Sequence, residues 1–344
     1  MKLLYLSVFL SLLIHATSYA QNAKSSNNKQ PYQDAFKEQM QMLAGQKPLS
    51  FKRSVFLSEN AYYAGKLNYQ AFCQDVANIG AQLKQMIKAR GIERYKTAPN
   101  WATFSFMTDT IAANSFKPFT YDFDDFTGSS DWSKMFVTKL IKTHSGNCHS
   151  LPYLYKILCE EIGGTAYLAF APNHCYIKHI NEKGQWTNVE LTNPSFPQDQ
   201  WIIKEMYITV EEIKQNIYMV PLTAKQSIAS TMCDLAEGYK AKFGYDPFFL
   251  KVVTAALRYY PRSMPLIQHK ANCLLSMIKA ERIKRNPDTT LLLADIAQHK
   301  QLMRTINELG YKDMPIELYK EWVKSVEKEK AKRGLIKTVS NKKI

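Results

Sequence analysis

Gly146-Asn-Cys-His-Ser-Leu-Pro-Tyr-Leu-Tyr-Lys-Ile-Leu-Cys-Glu-Glu-Ile-Gly-Gly164 is the stretch on which the reading of this chain turns. Leu151, Tyr155, Leu158 and Ile162 recur at helical steps and share one face, and Gly163 and Gly164 stop the helix. Pro152 lacks an N–H and its ring collides with the preceding turn, so regular helix cannot begin far upstream of it. Cys148 is thereby placed at or near the helix N-terminus. The reactive form of a cysteine is the thiolate, and a helix N-terminus favours an anion through its unpaired N–H groups and its dipole.

Immediately downstream the periodicity changes from helical to strand-like. Thr165-Ala-Tyr-Leu-Ala-Phe170, His174-Cys-Tyr-Ile-Lys-His-Ile180 and Trp186-Thr-Asn-Val-Glu-Leu191 are short aromatic and β-branched runs. Ala171-Pro-Asn173 and Asn181-Glu-Lys-Gly184 separate them with turn residues, which predicts a three-stranded antiparallel meander. Residues equidistant from the turn near 182–184 face each other across adjacent strands, and this brings His174 close to Glu190. A thiol at a helix end, a histidine at a strand start and an acid on the next strand form an ordered set. The ring takes the thiol proton, and the acid holds the ring's tautomer and steadies its charged form.

The wording of these segments resembles the transglutaminase-like superfamily, which shares a papain-like arrangement. The likeness covers roughly residues 50 to 200 and is carried by Gly-Asn-Cys-x-Ser-Leu-Pro, by Pro-Asn-His-x-Tyr-Ile, and by an acid four residues after Trp186. It looks closest to an exported bacterial branch in which such a domain is joined to tetratricopeptide repeats. The resemblance implies an α+β papain/transglutaminase-like core, a helix carrying the cysteine packed on an antiparallel sheet, followed by an all-α helical-repeat-like region. It implies Cys148 as nucleophile, His174 as general base and Glu190 as orienting acid. Two positions depart from the pattern: Glu190 stands where Asp is usual, and Cys175-Tyr176 follows His174 where a Trp is frequent.

Supporting roles fall to Asn147, a helix cap or oxyanion donor, to Trp186, and to Asn193, the alternative third member at the end of the same strand. His144, His149 and His179 are read as non-catalytic; strand alternation puts His179 on the face opposite His174. Cys148, His149, His174, Cys175 and His179 lack the Cys-x-x-Cys or His-x-x-x-His step that sets two ligands on one ion. No metal or cofactor is therefore expected.

The remainder of the 344 residues is organised around this core. Lys2, the apolar run Leu3–Ile14 and Ser18-Tyr-Ala20 read as a secretory signal peptide over 1–20, cleaved after Ala20. Residues 21–45 are expected to be a disordered leader ending in a short helix from Asp34 to Leu43, and 46–207 the transglutaminase-like domain. Phe72, Val76, Ile79, Leu83, Met86 and Ile87 predict a helix from about Asn68 to Arg90, closed by Gly91. Residues 208–326 read as a helical, tetratricopeptide-like domain, in which Gly244, Ala256 and Tyr260 match one degenerate repeat unit. Residues 327–344 read as a basic tail or fraying helix.

Forty-five Lys and Arg against 30 Asp and Glu give a net charge of +15, which favours acidic partners. In an exported chain those are anionic envelope polymers or acidic proteins rather than nucleic acid, and a solvated basic surface also accounts for the excess. No segment after the leader reaches the roughly 18 apolar residues of a spanning helix. The expectation is an exported, periplasmic or secreted thiol acyl-transfer protein, a cysteine peptidase or amidase acting on protein or peptide substrates of the cell envelope. The alternative is a catalytically silent scaffold that binds a protein partner through its helical C-terminal region.

Overall fold

The computed structural model describes residues 28–340. The signal peptide read over 1–20 lies outside the described residues, as do residues 21–27 and 341–344. The N-terminal half of the chain supplies α1 (Gln30–Leu43), α2 (Phe51–Tyr62), α3 (Tyr69–Arg90), α4 (Ala98–Thr108), β1 (Thr120–Tyr121), α5 (Val137–Thr143), β2 (Ser145–Gly146) and α6 (Ser150–Glu161). Then come β3 (Tyr167–Ala171), β4 (His174–Ile180), β5 (Trp186–Val189), α7 (Asp199–Glu205), α8 (Val210–Lys214) and α9 (Ala224–Phe243). The chain closes with α10 (Pro247–Leu257), α11 (Met264–Arg282), α12 (Thr289–Glu308) and α13 (Ile316–Ser340). No helix among the described residues is long and apolar enough to cross a membrane.

The expected α+β, papain/transglutaminase-like core is not what the chain builds. About 60% of it is helical and only 7% is strand. The strands form one three-stranded meander, in the order β3-β4-β5, and a parallel pair of two-residue strands, β1 and β2. The physical reason lies in where the apolar surface is. Strands of four to seven residues carry few core side chains, whereas α2, α3, α6, α9 and α10 each bury a long face in a single cluster. The meander is an insert in a helical molecule rather than the layer on which the helices rest.

Helix α6 is the centre of that cluster. It is buried from Ser150 to Cys159 on every side, as expected of a helix apolar all round. Helices α3, α4 and α5 and strands β3 and β4 surround it. Its one buried cation, Lys156, is answered by Glu160 at 2.6 Å and by the Ala166 carbonyl at 2.7 Å. Beyond its C-terminus, a Cβ on Gly164 would lie 2.4 Å from Pro99 Cβ and 2.6 Å from Cys159 Sγ. Only glycine lets the chain turn so close to α4 and enter β3.

The meander is covered on both faces. Leu168, Cys175, Ile177 and Val189 join the cluster around α6. Ala169, Ala171 and Tyr176 point the other way, onto Ile202, Ile208, Ile217, Met264 and Ile267 of the C-terminal half. Residues Ile228, Met232, Leu235 and Tyr239 of α9 belong to the same core as Tyr32 and Val55. Residues on both sides of position 208 therefore share these two clusters.

Both ends of the described residues are helical. The short helix expected from Asp34 to Leu43 is α1, which begins four residues earlier, at Gln30, and buries Tyr32, Ala35, Met42 and Leu43. Tyr32 donates to the Gly238 carbonyl at 2.9 Å and meets Tyr239 edge-on. Gln39 reaches Ser54, Ser58 and Thr231 in the interior. The basic end is helical to Ser340 in α13, and Lys330 pairs with Asp124 at 2.6 Å.

Candidate active site

Cys148 lies in the turn between β2 and α6, half-buried, two residues before the helix begins. The turn is shaped by Asn147. Its side-chain oxygen accepts the His149 and Ser150 N–H groups at 3.1 and 3.0 Å, and its amide donates to the Phe126 and Lys134 carbonyls at 3.2 and 3.3 Å. With both ends of its side chain engaged, Asn147 is a helix cap that ties the nucleophile turn to the 126–135 loop rather than an oxyanion donor.

His174 opens β4 opposite Ala171, just after Asn173, whose positive φ of 55° makes the tight turn. Cys148 Sγ sits 3.9 Å from the Asn173 carbonyl, against the base of this turn. The His174 ring nitrogen Nε2 is 2.6 Å from Glu190 Oε2, and both side chains are 8% exposed. The other nitrogen, Nδ1, is not taken by Glu190, and Cys148 lies near enough to the ring to raise its ionisation. The three residues picked from sequence thus stand together at the junction of the α6 turn and the first residues of β4.

Glu190 is held independently of the histidine. Its Oε1 accepts the Thr192 N–H and hydroxyl, each at 2.7 Å, and its backbone forms a bridge with Ser195. Burial alone would raise the Glu190 carboxyl, but the His174 charge and the Thr192 donors outweigh it and lower it. Burial would likewise lower His174. The Glu190 charge, with hydrogen bonds from both neighbours, reverses that and pushes it up to about 10. The ring therefore favours its charged form, with the Glu190 carboxylate on one side and Cys148 near the other.

The supporting residues are not brought to this point. Asn193 is exposed in the turn beyond Glu190, and its carbonyl accepts the Ser195 hydroxyl at 2.8 Å. Trp186 pairs with Ile180 at the far end of the meander and meets Tyr167 edge-on at 5.4 Å. Six residues of β4 separate Ile180 from His174, about 20 Å at the usual strand rise.

Of the other histidines, His144 caps α5 and stacks on Phe119 at 4.5 Å. His179 is buried near the far end of β4, and its ring is held low by burial. His149 was read as pointing away from the chemistry, and it does leave the triad. Its Nδ1 is 2.9 Å from the Met135 carbonyl and its Nε2 2.9 Å from Asp234 Oδ1 of α9. Sequence gave no signal for this second pair, because its members are 85 residues apart. Cys175, the neighbour of His174, is a buried thiol whose ionisation burial pushes up, unlike a nucleophile. Among the described residues no group of three or more His, Cys, Asp or Glu is placed to hold a metal ion.

Comparison with known proteins adds little to this geometry. No family model matches the chain, and no curated protein matches it. Among solved structures it is similar to menin, from a crystal structure described as revealing the binding site for the Mixed Lineage Leukemia (MLL) protein. That likeness has 10% identity and a TM-score of 0.36, covering 79% of this chain and 70% of that one.

Proposed function

We propose that this protein is an exported thiol acyl-transfer enzyme, acting as a cysteine peptidase or amidase on protein or peptide substrates. The observation that carries the reading is the Cys148–His174–Glu190 grouping: a half-buried cysteine against the turn that opens β4, an imidazole at the start of that strand which the cysteine influences, and a carboxylate 2.6 Å from the ring's Nε2. The likeness to the transglutaminase-like superfamily adds to it on motif wording alone. It stands as a proposal about chemistry and ancestry and does not extend to the fold.

In this reading the Cys148 proton already rests on His174, so the resting pair is a thiolate beside an imidazolium, and the charged ring is the counter-ion the thiolate needs. The thiolate adds to an amide carbonyl, and the carbonyl electrons move onto oxygen. As they return, the C–N bond breaks and His174 gives its proton to the departing amine, leaving a thioester on Cys148. Water then attacks the thioester as His174 takes a proton from it, the C–S bond breaks with its electrons returning to the Cys148 sulfur, and the acid product leaves beside a restored thiolate and imidazolium. Glu190 keeps the ring in plane and in the tautomer that faces the thiol, held in turn by Thr192. An amine in place of water would give cross-linking by the same steps, and hydrolysis is the version proposed.

The test is alkylation of the protein by iodoacetamide between pH 5 and 9, with each modified cysteine located by mass spectrometry, alongside release of amine from a denatured-protein substrate. Cys148 should react first among the six cysteines and well below pH 8, and Cys148→Ala should abolish both signals. A Cys148 that stays inert until the ordinary thiol range near about 8.5 would overturn the reading.

A further inference from the structure

We propose that His149, fixed in its charged form by Asp234 and the Met135 carbonyl, is a second cation serving the Cys148 thiolate, a positioning residue that acts through the nucleophile. This rests on the acyl-transfer reading and deepens it.

The geometry dictates the charge. Met135 offers a carbonyl to Nδ1 and Asp234 a carboxylate to Nε2, each at 2.9 Å. Both are acceptors, so the ring satisfies them together only when both nitrogens carry hydrogen, which is the imidazolium. Burial by itself would lower this ring, and Asp234 with the Met135 carbonyl more than offsets it, so the charged form is favoured. The residue follows Cys148 directly in the same turn, and Asn147 holds the backbone N–H groups of both His149 and Ser150 there, so the ring's charge and the cysteine belong to one rigid turn.

The surroundings of the ring make it a fixed charge rather than a mobile one. Tyr153, one turn along α6, lies against it at 4.0 Å between centroids. From α2, Glu59 faces the same small pocket, its carboxylate accepting the Val137 and Thr138 N–H groups at 2.7 and 2.9 Å. From α9 comes Asp234; from β4, the buried and neutral Cys175. The uncharged Trp132 and Met135 close the remaining side. The thiol therefore has one imidazolium from β4, which exchanges its proton during the reaction, and a second from its own turn, which keeps it. The second stabilises an anion at Sγ without entering any step of proton transfer.

The arrangement also gives α9 a role in the site. Asp234 sets the charge of a residue adjacent to the nucleophile.

The experiment compares the rate of Cys148 alkylation by iodoacetamide at pH 6 and pH 9 in the parent chain, Asp234→Asn, His149→Gln and His174→Gln. Asp234→Asn preserves shape and a hydrogen-bond acceptor while removing the anion, so it keeps the test alive should His149→Gln misfold. Both His149 and Asp234 variants should slow alkylation about tenfold at pH 6, the effect of one unit of ionisation, and leave the pH 9 rate within about twofold of the parent. Variants that melt like the parent and alkylate at pH 6 at the parent rate would reduce the pair to a structural link. An equal loss at both pH values would assign the effect to displacement of the thiol, and would also overturn the inference. If Cys148 of the parent itself is inert at pH 6, the acyl-transfer reading falls and takes this one with it. If the parent and its His174→Gln variant differ as expected while the His149 and Asp234 variants do not, only this inference fails.

Discussion

Glu190 uses both carboxylate oxygens, one on His174 and one on Thr192, and this explains how an acid one methylene longer than aspartate fits the position. The backbone turns away at the Glu190–Ser195 bridge, and the longer side chain spans back to the ring. Glu190→Gln keeps the length and removes the charge that lifts His174. We expect Cys148 alkylation in that variant to slow at least tenfold at pH 6, while Glu190→Asp, which must stretch to reach both partners, loses less. The same pair makes stability depend on pH with a definite sign. His174 is raised from 6.5 to about 10 on folding, so its contribution is complete below pH 6.5 and disappears as pH rises towards 10. Glu190 is lowered, so its contribution is present above its ordinary value of 4.5 and is lost as pH falls below it. The melting-temperature gap between the parent and His174→Gln should therefore be widest between about pH 4.5 and 6.5 and shrink on both sides, and a gap that grows towards pH 10 would contradict the assignment. At this scale the triad was legible because a turn near 182–184 sets the register, which pairs Ile177 with Val189 and leaves Glu190 next in line. His149 was not, since its partner lies on a helix far along the chain and no local pattern marks a half-buried aspartate.

Among the elements, α6 is the one whose sequence said most. Pro152 and the double glycine bracket it, and the structure starts it at Ser150 with the Asn147 side chain over its first N–H groups. Asn147→Ala removes that cap together with two ties to the 126–135 loop. The cap alone is worth about 1–2 kcal/mol, so the variant should lose at least this much in urea unfolding and also alkylate more slowly at Cys148, because the turn that aims the thiol loosens. A stability within error of the parent would mean that water replaces the amide without cost. The helix α3 was equally readable, from Asn68, which accepts the Ala71 N–H, to Gly91 at a φ of +66°. The meander was readable as strands but not as a minor element. Alternation shows that a segment is extended, and it carries no information on how much helix surrounds it. Helix α1 was read only from Asp34, a turn too late, because Tyr32 lies among Asn, Lys and Gln. The buried Gln39, which binds three hydroxyls, reads in sequence as one more solvent-exposed polar residue.

At the scale of the whole molecule, the site depends on the half of the chain that was expected to be a separate helical domain. The outer face of the meander, Ala169, Ala171 and Tyr176, is covered by Ile202, Ile208, Ile217, Met264 and Ile267, and α9 packs along both α1 and α2. A composition change near residue 208 is visible in sequence, whereas the burial of one half by the other depends on contacts across hundreds of residues that no periodicity records. The consequence is measurable. A fragment of residues 46–207 contains every member of the triad, but it loses α1, α9, α10 and α11 and exposes the second face of its only substantial sheet. It also strands Glu59 and His149, whose surroundings include Asp234. Burying a large aromatic such as Tyr239 or Phe249 is worth roughly 1.5–3 kcal/mol each, and the fragment forfeits a set of such residues against a total stability of only about 5–15 kcal/mol. We expect it to show slow-exchange amide protection nowhere, to bind hydrophobic dyes, and to alkylate all of its cysteines at the ordinary thiol rate. A fragment that instead unfolds cooperatively and keeps a fast-reacting Cys148 would show that residues 208–326 are a separable domain, and that the second imidazolium does not need α9.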